Sequence, residues 1–341
     1  MHSSSTAWIL AGATATGKTA VAQALAERLG CAILSADAML VYRGMDIGTA
    51  KPSPAERGSV PYFGIDLVTP AESFSTGLWL ADAARALRVA ATAHEDVRPP
   101  SSRTAMEGEC PHEPRVDSSI PRGGLIVAGG TGLYLKALTA GFDSEQADPV
   151  RRAHWQALFE NDGLAALQSA LAERAPGALK NLADPSNPRR LIRALEHLDA
   201  RGCLPSSWKE AAQPAAILAL RLPREQLHRR IERRVATMFR LGLVDEVRTL
   251  RQAYPAWSAT ALQAIGYAEV CALLDGTLSE AAAFERIVIR TRQLAKRQET
   301  WFRHQAQTAW LDIDETDPPA LIAQRVLDLW RQHGPTPIVH T

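Results

Sequence analysis

The residues at 12–19, GATATGKT, fit the phosphate-binding pattern GxxxxGK[ST] and stand between the two elements that this pattern requires. An apolar run at 7–11 predicts a short buried strand, and the pattern at 18–29 predicts a helix. The apolar face of that helix comprises Val21, Leu25 and Leu29. The glycines let backbone N–H groups approach phosphate oxygens, while Lys18 adds a point charge and Thr19 a hydroxyl for a phosphate or a magnesium ion. The candidate phosphate-binding residues are Gly12, Ala13, Thr14, Ala15, Thr16, Gly17, Lys18 and Thr19.

Strands alternate with helices along the first 140 residues. After the first strand and helix, further strands are predicted at 32–35, 64–68 and 124–128, and helices at 76–93 and from residue 131. Strand-like runs return at 216–220 and 309–313. Alternation of this kind is typical of an α/β fold, so we predict a parallel sheet core of the P-loop NTPase type.

The order of the elements predicts one core that is interrupted by a helical insertion. Residues 1–140 form its first part, 141–214 an all-helical insertion, 215–330 the return to the core, and 331–341 a tail. Residues 95–123 contain five prolines among serines and charges and have no apolar periodicity. We expect this segment to be a surface insertion.

Composition excludes several classes of protein. The 341 residues carry 38 basic and 37 acidic side chains and a formal net charge of +1, so a uniformly positive surface is excluded. Apolar runs are far shorter than the roughly 20 residues that span a bilayer. The cysteines at 31, 110, 203 and 271 have no CxxC pairing, which argues against a zinc site or a disulfide framework. We predict a cytoplasmic protein without membrane segments.

Two further motifs follow predicted strands and therefore face the same crevice as the phosphate-binding loop. Asp37 could be a magnesium ligand, a general base, a ribose ligand or only a cap of the next turn. The turn Gly129-Gly130-Thr131-Gly132 stands where many P-loop ATPases carry an acidic residue, and Thr131 is a candidate helix cap there. The lack of an acid at this turn weakens the hypothesis of an ATPase.

Two helical patterns in the last third of the chain are rich in arginine. The first is opposed only by Glu225 and Glu232, and the second only by Glu299. Their basic residues are Arg221, Arg224, Arg229, Arg230, Arg233 and Arg234 in the first, and Arg286, Arg290, Arg292, Lys296, Arg297 and Arg303 in the second. Such faces are either solvated or bind nucleic-acid phosphates, and Trp301 and Phe302 could then stack on bases.

Three stretches resemble signatures of the tRNA dimethylallyltransferase family. They are DAMLVYRGMDIGTAKP at 37–52, AGGTGLY at 128–134 and TRQLAKRQETWFR at 291–303. The match runs from about residue 8 to residue 311 in the right order and spacing. Members of this family move a dimethylallyl group from its diphosphate to N6 of the adenosine directly 3′ of the anticodon. They require magnesium, and their fold is related to that of P-loop kinases.

The resemblance implies a role for individual residues of this chain. Residues 14–19 would hold the allylic diphosphate, Arg234 would help to clamp it, and Asp37 would accept the N6 proton. The implied catalytic set is Lys18, Thr19, Asp37, Thr131 and Arg234, with Thr19 also a ligand of Mg²⁺. The implied tRNA-binding set is Asp37, Ala38, Met39, Leu40, Thr131, Arg152, Arg189, Arg190, Leu191, Ile192, Arg193, Gln263, Ala264, Ile265, Gly266, Tyr267, Ala268, Lys296, Arg297, Gln298, Glu299, Thr300, Trp301, Phe302 and Arg303.

The same resemblance implies the partners. They are dimethylallyl diphosphate and the anticodon stem-loop of tRNA, gripped by the insertion at 141–214, and the implied form is a monomer. The chain departs from the family pattern at Ala13 and Thr16, where proline and serine are usual, and at Ala38, where serine is common. Three alternatives remain open: a P-loop small-molecule kinase that uses ATP, a prenyltransferase of free adenine nucleotides, and a non-catalytic RNA-binding module.

Overall fold

The structure is a computed structural model that describes residues 6–95, 124–141, 148–182, 184–204 and 216–339. The predicted surface insertion at 95–123 lies outside these residues, except for residue 95. Contacts between Cα atoms divide the chain into two compact units. One comprises Met1–Gly141 together with Pro214–Thr341, and the other comprises Phe142–Gln213.

The first unit is built on a parallel sheet. Its strands are β1 (Thr6–Gly12), β2 (Ala32–Ala36), β3 (Tyr62–Phe63), β4 (Leu125–Gly129), β5 (Ala216–Arg221), β6 (Gln307–Asp312) and β7 (Thr336–Pro337). The order is β3-β2-β4-β1-β5-β6, and β7 pairs antiparallel with the start of β1. The central strand β1 pairs with β4 and β5, so the ends of these strands at Gly12, Gly129 and Leu220 lie side by side. The predicted fold class, a P-loop-type parallel sheet core, is confirmed.

Helices connect the strands of this unit. They are α1 (Lys18–Leu29), α2 (Pro54–Arg57), α3 (Thr76–Glu95), α4 (Gly132–Ala140) and, after the second unit, α8 (Arg224–Arg240), α9 (Leu243–Ala253), α10 (Tyr267–Leu274), α11 (Glu280–Gln305) and α12 (Pro319–His333). A 3₁₀ turn, Ala261–Gln263, precedes α10. Helix α1 has the predicted bounds, and its predicted apolar face is buried against the sheet.

The second unit is helical throughout its described residues. Its helices are α5 (Pro149–Arg174), α6 (Ala178–Asn181) and α7 (Pro188–Arg201), and α5 contains one non-helical residue, Gly163, at φ 78°. Leucines of α5 and α7 form a separate hydrophobic core with Trp155. In the part of the chain that the structure describes, no helix combines the length and the apolar character that crossing a bilayer requires.

The third predicted strand is displaced from its predicted position. It was expected at 64–68, but the residues that pair with β2 are Tyr62 and Phe63. The chain leaves the sheet at Gly64, whose φ is 74° and whose N–H donates to Asp82 at 2.7 Å. Asp66 also has a positive φ, 54°, which is incompatible with an extended strand.

The predicted tail is corrected in its described part. Residues 331–333 are the last turn of α12, in which Trp330 stacks on Trp8 of β1 at 5.1 Å between ring centroids. Beyond the helix, Thr336 pairs with Ala7, and its hydroxyl donates to the carbonyl of Ala216 at 2.7 Å. The segment was missed because two paired residues are too few to give an alternating apolar pattern.

We expect Ile338→Ala to lower the free energy of unfolding by about 2 kcal/mol, because Ile338 is buried and its removal leaves a cavity. The neighbouring variant Val339→Ala is the control, since Val339 is 43% exposed and should change stability by less than about 0.5 kcal/mol. Urea denaturation followed by circular dichroism measures both. Equal stability of the two variants would mean that this segment does not dock on the sheet.

Candidate active site

The phosphate-binding loop begins where β1 ends at Gly12 and closes at Gly17, the N-cap of α1. Gly17 adopts a left-handed conformation at φ 87°, and a Cβ there would lie 2.9 Å from Nη2 of Arg230. The hydroxyl of Thr16 donates to the carbonyl of Ala13 at 2.9 Å and fixes the turn. Because glycine has no side chain to cap the helix, the first N–H groups of α1 face the crevice and suit an anion.

One pocket brings together four of the five predicted catalytic residues from distant parts of the chain. It lies at the carboxyl ends of β1, β2 and β4, as expected for an α/β sheet. Its polar lining comprises Thr14, Lys18, Thr19, Ser35, Asp37, Thr49, Tyr62 and Arg234. Thr131, the remaining member of the predicted catalytic set, is not among the residues that line the pocket.

Two cations and one carboxylate determine the electrostatics of this pocket. The pKa of Lys18 is lowered to about 8: burial has the largest effect and lowers it, nearby Asp37 raises it, and nearby Arg234 lowers it. Burial also lowers the pKa of the Arg234 guanidinium, again opposed by Asp37. The pocket therefore holds more positive charge than its own carboxylate balances. A bound anion would stabilise both cations and raise the pKa of Lys18.

Arg234 connects three segments at the edge of the pocket. It projects from α8, and its Nη2 donates to the carbonyl of Thr49 at 2.9 Å. Its Nη1 lies 3.4 Å from the hydroxyl of Thr14 in the phosphate-binding loop. Lys18 turns toward the same loop, where its Nζ donates to the carbonyl of Ala13 at 3.2 Å. The two cations thus flank the backbone that would receive a phosphate.

Asp37 has one of the roles that the sequence left open, that of a turn cap, and it also lies in the pocket. Its Oδ1 accepts the backbone N–H of Met39 at 2.9 Å, so the carboxylate caps the turn that follows β2. The side chain also lines the pocket beside Lys18 and Arg234. Capping fixes the orientation of the carboxylate in the crevice and is compatible with a chemical role.

Thr131 occupies the predicted N-cap position of α4 but makes no side-chain cap of that helix. Its hydroxyl oxygen instead accepts the backbone N–H of Ala38 at 3.1 Å, and its own N–H donates to the carbonyl of Ala36 at 3.0 Å. The capping hypothesis is therefore wrong in detail. Thr131 fixes the segment that carries Asp37.

Gln298 is a site residue whose role sequence reasoning missed. It was placed in a stretch that faces tRNA, yet its Oε1 accepts the N–H of Thr14 at 2.7 Å and its Nε2 donates to the carbonyl of Gly130 at 3.0 Å. A Cβ on residue 130 would lie 2.3 Å from that Nε2, so a side chain there would displace the Gln298 amide. No local signal could have predicted a contact between residues 284 positions apart.

Several side chains of the predicted tRNA-binding set lie in the protein core and are corrected accordingly. They are Leu191, Ile192, Ala264, Tyr267 and Phe302. Phe302 is fully buried, so it cannot stack on a base as the sequence suggested. Leu40 is also buried but lines the pocket, and Trp301 packs on the first turn of α4, where a Cβ at Gly132 would lie 2.2 Å from its ring. In the predicted tRNA-facing stretches at 189–193, 263–268 and 296–303, the exposed members are Arg189, Arg190, Gln263, Lys296, Arg297, Thr300 and Arg303.

Acids that are distant in sequence partly neutralise the two basic helices. Glu315 pairs with both Arg229 and Arg233, and Asp312 accepts two hydrogen bonds from Arg221 at 2.6 and 2.9 Å. In the helical unit, Arg152 donates to both carboxylate oxygens of Glu196 at 2.9 and 3.2 Å. The local charge excess predicted from the sequence is therefore smaller in three dimensions.

The oxygen ligands that the pocket offers fit a magnesium ion whose other ligands come mostly from bound phosphates. Among the described residues, no group of three or more His, Cys, Asp or Glu side chains could hold a metal. The hydroxyl of Thr19 and the carboxylate of Asp37 are hard oxygen donors in one pocket. Mg²⁺ typically keeps one or two such protein ligands together with waters and phosphate oxygens.

Comparison with known families assigns most of the chain. The family model described as IPP transferase matches residues 40–98 and 119–305, and the model described as isopentenyl transferase matches residues 5–65. The tRNA dimethylallyltransferase of Anaeromyxobacter dehalogenans strain 2CP-C is 39% identical over 325 residues, which are 93% of this chain and 98% of the relative. That of Bacillus licheniformis is 36% identical over 329 residues, 94% of each chain.

Solved structures resemble the fold over nearly its whole length. The full-length tRNA isopentenylpyrophosphate transferase of Bacillus halodurans superposes with a TM-score of 0.61 at 32% identity, covering 96% of this chain and 95% of its own. A eukaryotic dimethylallyltransferase acting on tRNA gives a TM-score of 0.71 at 22% identity, covering 97% of this chain and 77% of its own. At that identity the second likeness speaks for the fold alone.

We expect the contribution of Lys18 to anion affinity to disappear as pH rises through about 8, where the buried ammonium loses its proton. The ratio of wild-type to Lys18→Ala affinity for inorganic pyrophosphate should be constant below that pH and fall about tenfold per pH unit above it. The ligand's own ionisation cancels in this ratio. Calorimetric titrations from pH 6.5 to 9.5 measure it.

Lys136→Ala is the matched control for this titration. Lys136 is also a lysine with a pKa lowered by burial, but it lies on α4 and its Nζ donates to Gln305. The control should bind pyrophosphate like the wild type at every pH. A ratio for Lys18→Ala that stays constant across the whole range would contradict an ammonium that titrates near 8 in the pocket.

Proposed function

Because this chain belongs to the IPP transferase family, we propose that it transfers a dimethylallyl group from dimethylallyl diphosphate to N6 of the adenosine directly 3′ of the anticodon in tRNA. The observation that carries the proposal is the convergence of Lys18, Arg234 and Asp37 on one pocket beside the phosphate-binding loop. A pair of cations suits a diphosphate leaving group, and a fixed carboxylate suits a proton acceptor. The relatives at 35–39% identity favour this prenyltransferase over the small-molecule kinase.

Stabilisation of the leaving group is the first task of the site. As the allylic C1–O bond breaks, positive charge spreads over the allyl group and the electron pair of the bond stays on the pyrophosphate. Lys18, Arg234 and the N–H groups at the start of α1 are already directed at the loop that would hold this anion. Donors that are fixed before the reaction stabilise developing charge without reorganisation.

Activation of the nucleophile is the second task. The N6 lone pair of adenine is delocalised into the purine ring, so a new N6–C1 bond forms readily only if the amino group loses a proton as bonding develops. We assign that proton to the carboxylate of Asp37, which Met39 holds in the pocket. The adenosine must leave the stack of the anticodon loop to reach the pocket, so we expect a flipped base.

Magnesium has a supporting place in this proposal. Thr19 would hold the ion against the diphosphate, and the bound ion would neutralise part of the charge on the leaving group.

Exposed cations support the proposal that tRNA is bound through its anticodon stem-loop. On the helical unit these are Arg152, Arg189 and Arg190, and on α11 they are Lys296, Arg297 and Arg303. Arginine and lysine side chains of this kind bind RNA by neutralising phosphates, which makes affinity dependent on salt. Since tRNA is the proposed substrate, we also propose that the enzyme acts in the cytoplasm.

Mass analysis of tRNA nucleosides tests the proposed function. The protein is incubated with dimethylallyl diphosphate, Mg²⁺ and bulk tRNA, the RNA is digested, and N6-dimethylallyladenosine is measured. Parallel reactions contain AMP in place of tRNA, or ATP without tRNA. Product in the tRNA reaction alone supports the proposal. Prenylated AMP would favour a nucleotide prenyltransferase, and ATP consumption without tRNA would favour a kinase.

We expect Asp37→Asn to slow the chemical step by about 10²–10⁴-fold, the usual contribution of a general base. Asparagine retains the Oδ1 that accepts the N–H of Met39, so the turn should persist while the basic oxygen is lost. The measurement is single-turnover prenylation at saturating tRNA, with tRNA affinity determined by filter binding.

Asp148→Asn is the matched control for Asp37→Asn. The Oδ1 of Asp148 also accepts an N–H two residues further on, that of Val150 at 2.9 Å, but Asp148 lies outside the pocket. This control should retain the wild-type rate. If Asp37→Asn also retained it, or lost only tRNA affinity, Asp37 would be a turn cap and not the base.

A further inference from the structure

The segment 46–52, DIGTAKP, forms one wall of the pocket although it contains no regular secondary structure. Thr49, Ala50 and Pro52 line the pocket, and the carbonyl of Thr49 accepts the hydrogen bond from Nη2 of Arg234. The orientation of a proposed clamp residue therefore depends on the placement of a loop carbonyl. Something other than a helix or a sheet must hold that loop.

A single carboxylate binds the backbone of the first half of the loop. Glu246, in the first turn of α9, accepts three consecutive backbone N–H groups. Its Oε2 accepts from Asp46 at 3.1 Å and from Ile47 at 2.7 Å, and its Oε1 accepts from Gly48 at 3.3 Å. Hydrogen bonds to a charged acceptor are stronger than those to a neutral one.

A buried tyrosine fixes this carboxylate. The hydroxyl of Tyr267 donates to Oε1 of Glu246 at 2.6 Å, and the ring of Tyr267 is fully buried beside Trp257. The ring also touches the loop directly, since a Cβ at Gly48 would lie 2.5 Å from one of its carbons. Glycine at 48 therefore lets the backbone approach both the ring and the carboxylate.

A buried ammonium holds the second half of the loop. Lys51 points inward, and its Nζ donates to the carbonyl of Tyr42 and to Oδ1 of Asp66, both at 2.6 Å, and lies 2.7 Å from Oδ1 of Asp46. Thr49 stands between the two anchors, and its own hydroxyl donates to the carbonyl of Met45 at 2.6 Å. The loop is thus fixed on both sides of the carbonyl that receives Arg234.

We propose that Glu246 is a positioning residue for diphosphate binding, acting through the backbone of 46–49 on the guanidinium of Arg234. This inference rests on the proposed function of Arg234 as part of the diphosphate clamp. Without the carboxylate, three adjacent N–H groups lose their acceptor, and the Thr49 carbonyl no longer holds one fixed position. Arg234 then samples several orientations and loses the preorganisation that makes it effective toward pyrophosphate.

Glu246→Gln tests the proposal, because glutamine keeps the size of the side chain and loses its charge and one acceptor oxygen. We expect the affinity for inorganic pyrophosphate to fall, and the KM for dimethylallyl diphosphate to rise, each by about tenfold or more. The affinity for tRNA should stay within about threefold of the wild type. Tyr267→Phe removes only the hydroxyl that donates to Glu246, and should shift the same two quantities in the same direction by a smaller factor.

Glu72→Gln is the matched control. Glu72 is also a carboxylate that accepts a backbone N–H and a hydroxyl, both from Thr69 at 2.7 Å, but it touches neither the pocket nor the loop at 46–52. It should leave pyrophosphate affinity unchanged. Thermal melting of each variant separates a loss of folded protein from a loss of affinity.

A double-mutant cycle with Arg234→Ala decides between positioning and a general loss of structure. If Glu246 acts through Arg234, Glu246→Gln should have no further effect on pyrophosphate affinity once Arg234 is alanine. Additive effects of the two substitutions would overturn the proposal. Should Glu246→Gln fail to fold, Tyr267→Phe is carried through the same cycle and decides by the same criterion.

Pyrophosphate binding does not require turnover, so this cycle can be interpreted separately from the assay for tRNA prenylation. A wild-type protein that binds pyrophosphate but does not modify tRNA would refute the proposed function and leave the cycle intact. A wild type that modifies tRNA and shows additive effects in the cycle would refute the role of Glu246 alone.

Discussion

The hydrogen bonds that converge on Thr14 are the interaction on which the arrangement of the site depends. Its N–H donates to Gln298 of α11, and its hydroxyl lies within reach of Arg234 of α8. A phosphate-binding loop works only if its N–H groups are held in one conformation before the ligand arrives. In this protein Gln298 accepts the N–H of Thr14 and donates to the carbonyl of Gly130, which ties the loop after β1 to the turn after β4. The sheet alone places the two turns side by side, and Gln298 fixes their relative position.

Charge in the pocket works against folding and in favour of ligand binding. Lys18 has a pKa of about 8 in the folded protein, below its ordinary value, because burial penalises the ammonium. Below that pH the group is protonated in both states, and the folded state bears the full penalty. Between about 8 and the ordinary value the unfolded chain binds more protons, so this contribution to stability improves as pH rises. An anion in the pocket removes the same penalty at neutral pH, which couples diphosphate binding to stability.

Sequence patterns correctly predicted the elements that neighbouring residues determine by themselves. Helix α1 begins at Lys18 and ends at Leu29 as predicted, because its start follows a glycine turn and its apolar period is complete. The strand prediction at 64–68 failed because the N–H of Gly64 donates to Asp82 of α3, 18 residues further on, and a local apolar pattern does not show such a contact. The joint placement of Lys18 and Asp37 was predictable from strand ends. The placement of Gln298 and Glu246 was not, since their partners Thr14 and Ile47 lie 284 and 199 positions away in sequence.

The stretch GMDIGTAKP identified the family from sequence, and its contacts explain why such a run is diagnostic. Its polar side chains hold the loop itself: Asp46 and Lys51 pair with each other, and the Thr49 hydroxyl binds Met45. The absence of a side chain at Gly48 leaves room for the ring of Tyr267, and the backbone N–H groups of 46–48 donate to Glu246. What the loop offers to the pocket is mainly backbone, above all the Thr49 carbonyl that receives Arg234. The motif therefore specifies the conformation of the loop at 46–52. It is typical of the activity because this conformation orients Arg234 toward the proposed diphosphate site. Substitutions in it should consequently act on diphosphate affinity through geometry, even where the changed side chain never contacts the ligand.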